Sequence, residues 1–158
     1  MSEPVIKSAD NPEVTEILDD PAICYCLVRV DMPDFLWGRT CAQVHHCGTQ
    51  MTEELLAKNF PDLNALYAEW KEDRTFGTVL TLAVSAAEMR QAVSLAQIIG
   101  LHAGVTHDPT YPIFIKDGDR TQVVTAPVDS CAYVFARKSA CGPVLGKFDL
   151  LSEKHILR

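Results

Sequence analysis

The period of apolar and polar positions changes several times along the chain, and each change predicts an element. From Ile23 to Val30 the residues are apolar almost without a break, with Ile23, Tyr25, Leu27 and Arg29 on one face and Cys24, Cys26, Val28 and Val30 on the other. Such a run reads as a strand buried on both sides. Met32 to Trp37, broken by Pro33, reads as a loop. A helix is predicted from Arg39 to Lys58, with Cys41, Val44, Gly48, Met51 and Leu55 on its inner side. A second helix follows Pro61, where Leu63, Leu66, Tyr67 and Trp70 form an i, i+3, i+4, i+7 stripe.

The period then returns to two. Phe76 to Val84 is rich in Thr, Val and Leu and reads as a strand. Ser85-Ala86-Ala87-Glu88 has the form of a capping box and opens a helix carrying Met89, Val93 and Ala96, which Gly100 stops. Leu101 to Thr106 reads as a third strand. Val123 to Ala126 and Cys131 to Ala136 read as closing strand material, and Pro143 to Leu151 as a last short helix. Residues 1–21 are acidic and polar, with a short helical possibility from Pro12 to Leu18, and read as an arm; residues 22–158 form the domain. The alternation makes the chain α/β and excludes an all-α bundle or a sandwich.

At 158 residues and 47% hydrophobic, the chain is long enough for one core and too short for two. No run approaches the roughly 18 to 20 apolar residues of a membrane span, and the N-terminus lacks a basic-then-apolar layout, so a cytoplasmic location away from membranes is expected. The six cysteines are spread among predicted strands and helices, which fits reduced, buried thiols better than a disulfide framework. There is no metal-ligand spacing: Cys24-x-Cys26 lies within the first strand, and no C-x-x-C or H-x-x-x-H occurs. The net charge of −7 opposes binding to a polyanion, but it is uneven. Residues 114–158 carry 7 Lys/Arg against 5 Asp/Glu, the reverse of the acidic remainder.

Two polar segments concentrate chemistry. Gly38-Arg39-Thr40-Cys41-Ala42-Gln43-Val44-His45-His46 opens a helix at the carboxyl end of the first strand, where open α/β sheets place ligands and free helix amides favour a phosphate or carboxylate. Arg39 and Gln43, four residues apart, share a face and can serve one ligand; as isolated residues they could equally be solvated helix positions. His45 and His46 diverge by about 100°. Asp117-Gly118-Asp119-Arg120-Thr121-Gln122 joins an acid, a guanidinium, a hydroxyl and an amide to a Gly turn. It could orient a water beside a developing oxyanion, or be a turn in which Asp117 satisfies its own backbone and Arg120 pairs with Asp119.

Taken together, the strand ending in Val28-Arg29-Val30-Asp31, the Gly38–His46 helix start and the Asp117–Gln122 turn resemble the paired signatures of the archaeal and eukaryotic-type peptidyl-tRNA hydrolases. The resemblance runs from about Ile23 to Leu151. It implies a small mixed sheet of about four strands with helices on both faces, and hydrolysis of the ester joining a peptide to the 3′ end of tRNA, with no metal or organic cofactor. It also implies a homodimer. Carried over by position, Arg39 would stabilise the oxyanion or bind the 3′ phosphates, Asp117 would orient water with Thr121 assisting, and His46 would join them. Gln43, Arg120, Gln122 and Lys116 would bind substrate. Arg39, Gln43, His46, Asp117 and Thr121 should then converge on one cleft.

Four departures accompany the resemblance, one of them the stretch Ala136-Arg137-Lys138-Ser139-Ala140-Cys141-Gly142-Pro143, which alters the family's glycine- and proline-rich segment after its last strand. Arg39 stands where the family has a lysine, and a guanidinium cannot exchange a proton near neutrality. Asp119 stands where it has a glycine. Asp108 to Lys116 has the look of an insertion, a flap over the site. The alternative is a non-catalytic relative of the same fold, acting as an RNA- or protein-binding module.

Overall fold

A computed structural model describes residues 20–32, 37–73 and 77–155. The elements are β1 (Ala22–Arg29), α1 (Trp37–Lys58), α2 (Pro61–Glu72), β2 (Thr78–Val84), α3 (Ala86–Ile98), β3 (His102–Asp117), β4 (Arg120–Arg137) and α4 (Lys138–Leu145), followed by a 3-10 turn at Glu153–His155. The fold is α/β with a single four-stranded mixed sheet in the order β2-β1-β4-β3. β1 runs parallel to β2 and antiparallel to β4, and β3 is antiparallel to β4. Among the described residues no helix is long and apolar enough to cross a membrane.

The unbroken apolar run of β1 has the reason the sequence suggests: both of its faces are covered. Ile23, Tyr25 and Leu27 meet Met89, Val93 and Ala96 of α3 and Val144 of α4. Cys24 and Cys26 meet Cys47, Met51 and Leu55 of α1 and the stripe of α2. The α3 capping box forms as expected, with the Ser85 hydroxyl accepting from the Glu88 amide and the Glu88 carboxylate accepting from the Ser85 amide. α2 begins at Pro61, whose missing amide hydrogen costs nothing in a first turn.

Four expectations need correction. The buried side of α1 is Thr40, Gln43, Cys47, Met51 and Leu55, so its N-terminal half is rotated from the predicted face and Cys41 is exposed. Cys41 alone of the six thiols therefore departs from the expected burial; all six are free. The third strand does not stop at Thr106 but runs to Asp117, and the closing strand pieces are one strand, so Asp108 to Lys116 is hairpin rather than a loop flap. The last helix starts at Lys138, where Asp20 accepts from both the amide and the hydroxyl of Ser139, and ends at Leu145 with Pro143 inside it. The helical possibility at Pro12 to Leu18 and most of the acidic arm lie outside the described residues, as does Phe76.

β4 pairs with β1 from Cys131 to Arg137 and with β3 from Phe135 down to the turn, so that below Cys131 it has β3 alone. The outer part of β3 and β4 is thus a two-stranded ribbon extending past the sheet. The register shifts between Thr106 and His107 and again between Asp108 and Tyr111, so the ribbon leaves the body through two irregularities. At the opposite edge, residues after α4 lie along β2: Leu150 bridges Leu82, the Ala83 amide donates to the Asp149 carbonyl, and the Leu151 amide donates to the Thr81 carbonyl.

Candidate functional site

The first turns of α1 reach the carboxyl end of β1 at the point where the ribbon departs. Thr40 and Gln43 face inward there, and for Gln43 the facing strands supply polar partners instead of an apolar floor. Gln43 is only 7% exposed. Its Nε2 donates to Asp108 Oδ2 at 2.8 Å, and its Oε1 accepts from the Ser130 hydroxyl, which sits at the first register shift. The Cys131 thiol donates to the Gln43 carbonyl at 3.1 Å. A buried amide with both ends paired fixes its surroundings, since leaving either end unpaired costs its desolvation.

Asp108 comes from the second irregularity. Its Oδ1 accepts from the Thr110 amide at 2.9 Å, an Asx turn that carries the chain past Pro109. Partial burial raises its pKa, but the bonds from the Thr110 amide, Gln43 and the Thr110 hydroxyl, with His46 nearby, outweigh that and hold the carboxyl below its ordinary value. Asp108 is therefore ionised at neutral pH. His46 is exposed and borders a polar pocket of about 560 Å³ with His45, Thr49, Glu53, Asp108 and Thr110.

Arg39, one turn before Gln43, crosses to the ribbon. Its NH1 donates to the Pro112 carbonyl at 2.8 Å, and its guanidinium lies 4.3 Å from the Phe114 ring centroid and 5.7 Å from that of Tyr111. Tyr111 fills the space between α1 and the sheet, leaving a cavity of about 10 Å³ lined by Val28, Arg29, Thr40, Gln43 and Ser130 among others, room for about one water.

Of the residues singled out in the sequence, Arg39, Gln43 and His46 are brought to one region. The other five are not. Lys116, Asp117, Arg120, Thr121 and Gln122 occupy the end of the ribbon, all exposed, with Asp117 paired in register to Arg120 and Thr121 to Lys116. Asp117 lies five residues beyond Pro112, about 16 Å at the usual strand rise. The reason is local: Gly118 adopts φ 59° at the first central position of a two-residue turn, a demand of hairpin geometry. The expected single cleft containing Asp117 and Thr121 does not form within this chain.

The carboxylate that meets Gln43 is Asp108, which sequence reasoning left inside the supposed insertion. A signal for it existed. Asp108-Pro109-Thr110 begins two residues after Thr106, the predicted end of the third strand, and Asp-x-Thr is an Asx-turn spacing. Arg29 and Asp31 tie elements together: Arg29 donates to Asp31 and to the Asp129 carbonyl, while Asp31 accepts from the Ala86 amide at the start of α3. On the sheet face opposite Gln43, the Asp129 carboxylate accepts from Arg90 and lies 2.9 Å from His107 Nδ1. Among the described residues no group of three or more His, Cys, Asp or Glu is arranged to hold a metal ion. The chain matches no protein-family model and no curated protein sequence.

Proposed function

We propose that the protein hydrolyses the ester between a peptide, or an N-blocked aminoacyl group, and the 3′ end of tRNA, at the polar region where α1 meets the base of the ribbon. The observation that carries this reading is the meeting of an ionised carboxylate, Asp108, with Gln43 at the carboxyl end of β1, beside Arg39, Thr110 and His46. The element order and the mixed sheet also agree with what the sequence resemblance implies. In this reading Asp108 takes the part first given to Asp117: it orients the attacking water and receives its proton, and the Thr110 hydroxyl helps position it. Arg39 supplies positive charge to the ester oxyanion or the terminal phosphates once Tyr111 and Pro112 draw back. No metal or organic cofactor takes part, and the enzyme works as a cytoplasmic homodimer.

One observation favours a second reading, a non-catalytic RNA- or protein-binding module. Arg39 is already engaged by the Pro112 carbonyl and the Phe114 ring. Incubation of the pure protein with a defined N-blocked aminoacyl-tRNA separates the two. The hydrolase reading expects release above the buffer rate, lowered about 10²- to 10⁴-fold in Asp108→Asn and little changed in Asp117→Asn. Binding of the tRNA with no release by the native chain establishes the module instead.

A further inference from the structure

Lys58 ends α1 some 19 residues from Arg39, roughly 28 Å along the helix axis. Beside it an open cavity of about 920 Å³ separates the α1–α2 corner from the end of α3 and the start of α4. Its walls are mostly apolar, with Phe60, Leu63, Leu66, Leu101 and Phe135 among them. This is the usual character of a small-molecule site: concave, largely apolar, with a few placed polar groups.

The placed groups here are His102 and Lys58. His102 is buried, and its Nε2 lies 3.1 Å from the Met51 carbonyl. A carbonyl only accepts, so Nε2 carries the proton and Nδ1 is bare. Lys58 Nζ is 3.3 Å from that Nδ1 and donates to it. Burial lowers the His102 pKa, the first of several influences, in keeping with a neutral ring. An ammonium that gives one hydrogen to a neutral imidazole keeps its full charge and two further donors. Among the described residues no carboxylate lies within ion-pair distance of Lys58. Glu54, one turn back on α1, is bonded by Tyr133 and Gln50 but keeps a charge that acts on Lys58 from beyond ion-pair distance, and Arg137 on the same wall is held by Glu69. Asp62 stands on the wall as an acid. α2 also starts at this wall with no side-chain hydrogen bond to its cap, and Asp62 in that first turn offsets the partial positive charge of the helix end, so the cation of the site is Lys58.

We propose that this cavity binds a small amphiphile, an apolar body of medium-chain length ending in a carboxylate, with the carboxylate on Lys58 and the chain along Leu63, Leu66 and Leu101. The site is separate from the polar region at the other end of α1, and occupation of one needs nothing from the other.

Titration of the full chain with decanoate, decanol and decyltrimethylammonium, followed by leucine methyl NMR, tests this directly. Decanoate should shift the methyl resonances of Leu63, Leu66 and Leu101 with a Kd about tenfold or more below that of decanol, as a charge-assisted hydrogen bond provides, and the ammonium should bind more weakly than either. Lys58→Met should bring decanoate to the level of decanol, and Lys58→Arg should retain the preference. Equal Kd values for decanoate and decanol in the native chain overturn the proposal, as do unmoved resonances of those three leucines at millimolar decanoate.

Discussion

From Cys131 to Phe135, β4 is paired along both edges and covered on both faces, whereas from Arg120 to Pro127 the same strand pairs with β3 alone and leaves Val123 55% exposed. Composition does not separate the halves. Val123-Val124-Thr125 is as strand-prone as Tyr133-Val134-Phe135. The difference lies in neighbours. Inside the body, each fully buried large side chain contributes about 1.5 to 3 kcal/mol. On the ribbon most of that is forgone, and a two-stranded ribbon is marginal by itself in water. What holds it is its base, where Tyr111 is buried and Arg39 grips Pro112 and Phe114.

The comparison can be broken most forcefully in the body. Phe135 lies edge-on to both Tyr67 and Trp70, with centroids 6.4 and 5.7 Å away. Phe135→Ala should cost about 3 to 5 kcal/mol in urea unfolding. Val123→Ala on the ribbon should stay within about 0.5 kcal/mol. Similar costs at the two positions would mean that the ribbon is packed against something and that its exposure is misread.

A smaller effect belongs to the junction. Gln43→Leu keeps the volume of the side chain but strips Asp108 and Ser130 of their partner, and should lower stability by about 1 to 3 kcal/mol. If the unfolding midpoint does not move, Gln43 is not what pins the ribbon's base to α1.

The smallest effect is at the tip. Gly118→Ala places a Cβ on a backbone at φ 59° and should cost about 1 kcal/mol or somewhat more. Because the ribbon opens separately from the body, amide exchange should accelerate at Ile115 and Gln122 while the body's amides and the urea midpoint hold still. A matching loss of protection at Val134 would show instead that ribbon and body unfold as one unit.

Much of the fold was legible because period and capping state it directly: the doubly buried run of β1, the α2 stripe and the Ser85–Glu88 box need no tertiary knowledge. The inner face of α1 was less so. Apolar spacing selected Cys41 and Val44, while tertiary polar partners, Ser130 and Asp108, drew Gln43 inward, and Thr40 lies buried on the same side of the helix. The candidate site was half legible. Arg39, Gln43 and His46 share a helix, so spacing alone keeps them together. Asp117 to Gln122 was misplaced because hairpin turns and catalytic turns draw on the same residues, and only the length of the paired strands shows how far a turn stands from the body.

The strand order has a consequence in time as well as in space. β1 lies between β2 and β4, so during synthesis it can pair with β2 once about residue 84 has emerged, yet its other edge stays open until residues 131–137 follow. β2 in turn stays uncovered on its outer side until Asp149 to Leu151 arrive to bond with Thr81, Leu82 and Ala83. At roughly 5 to 20 residues per second, these edges stay open for seconds, the interval in which unpaired strands seek other chains. The segment after α4 thus closes the sheet's outer flank, and its loss would be felt first as a lower yield of soluble protein during synthesis rather than as a weaker finished fold.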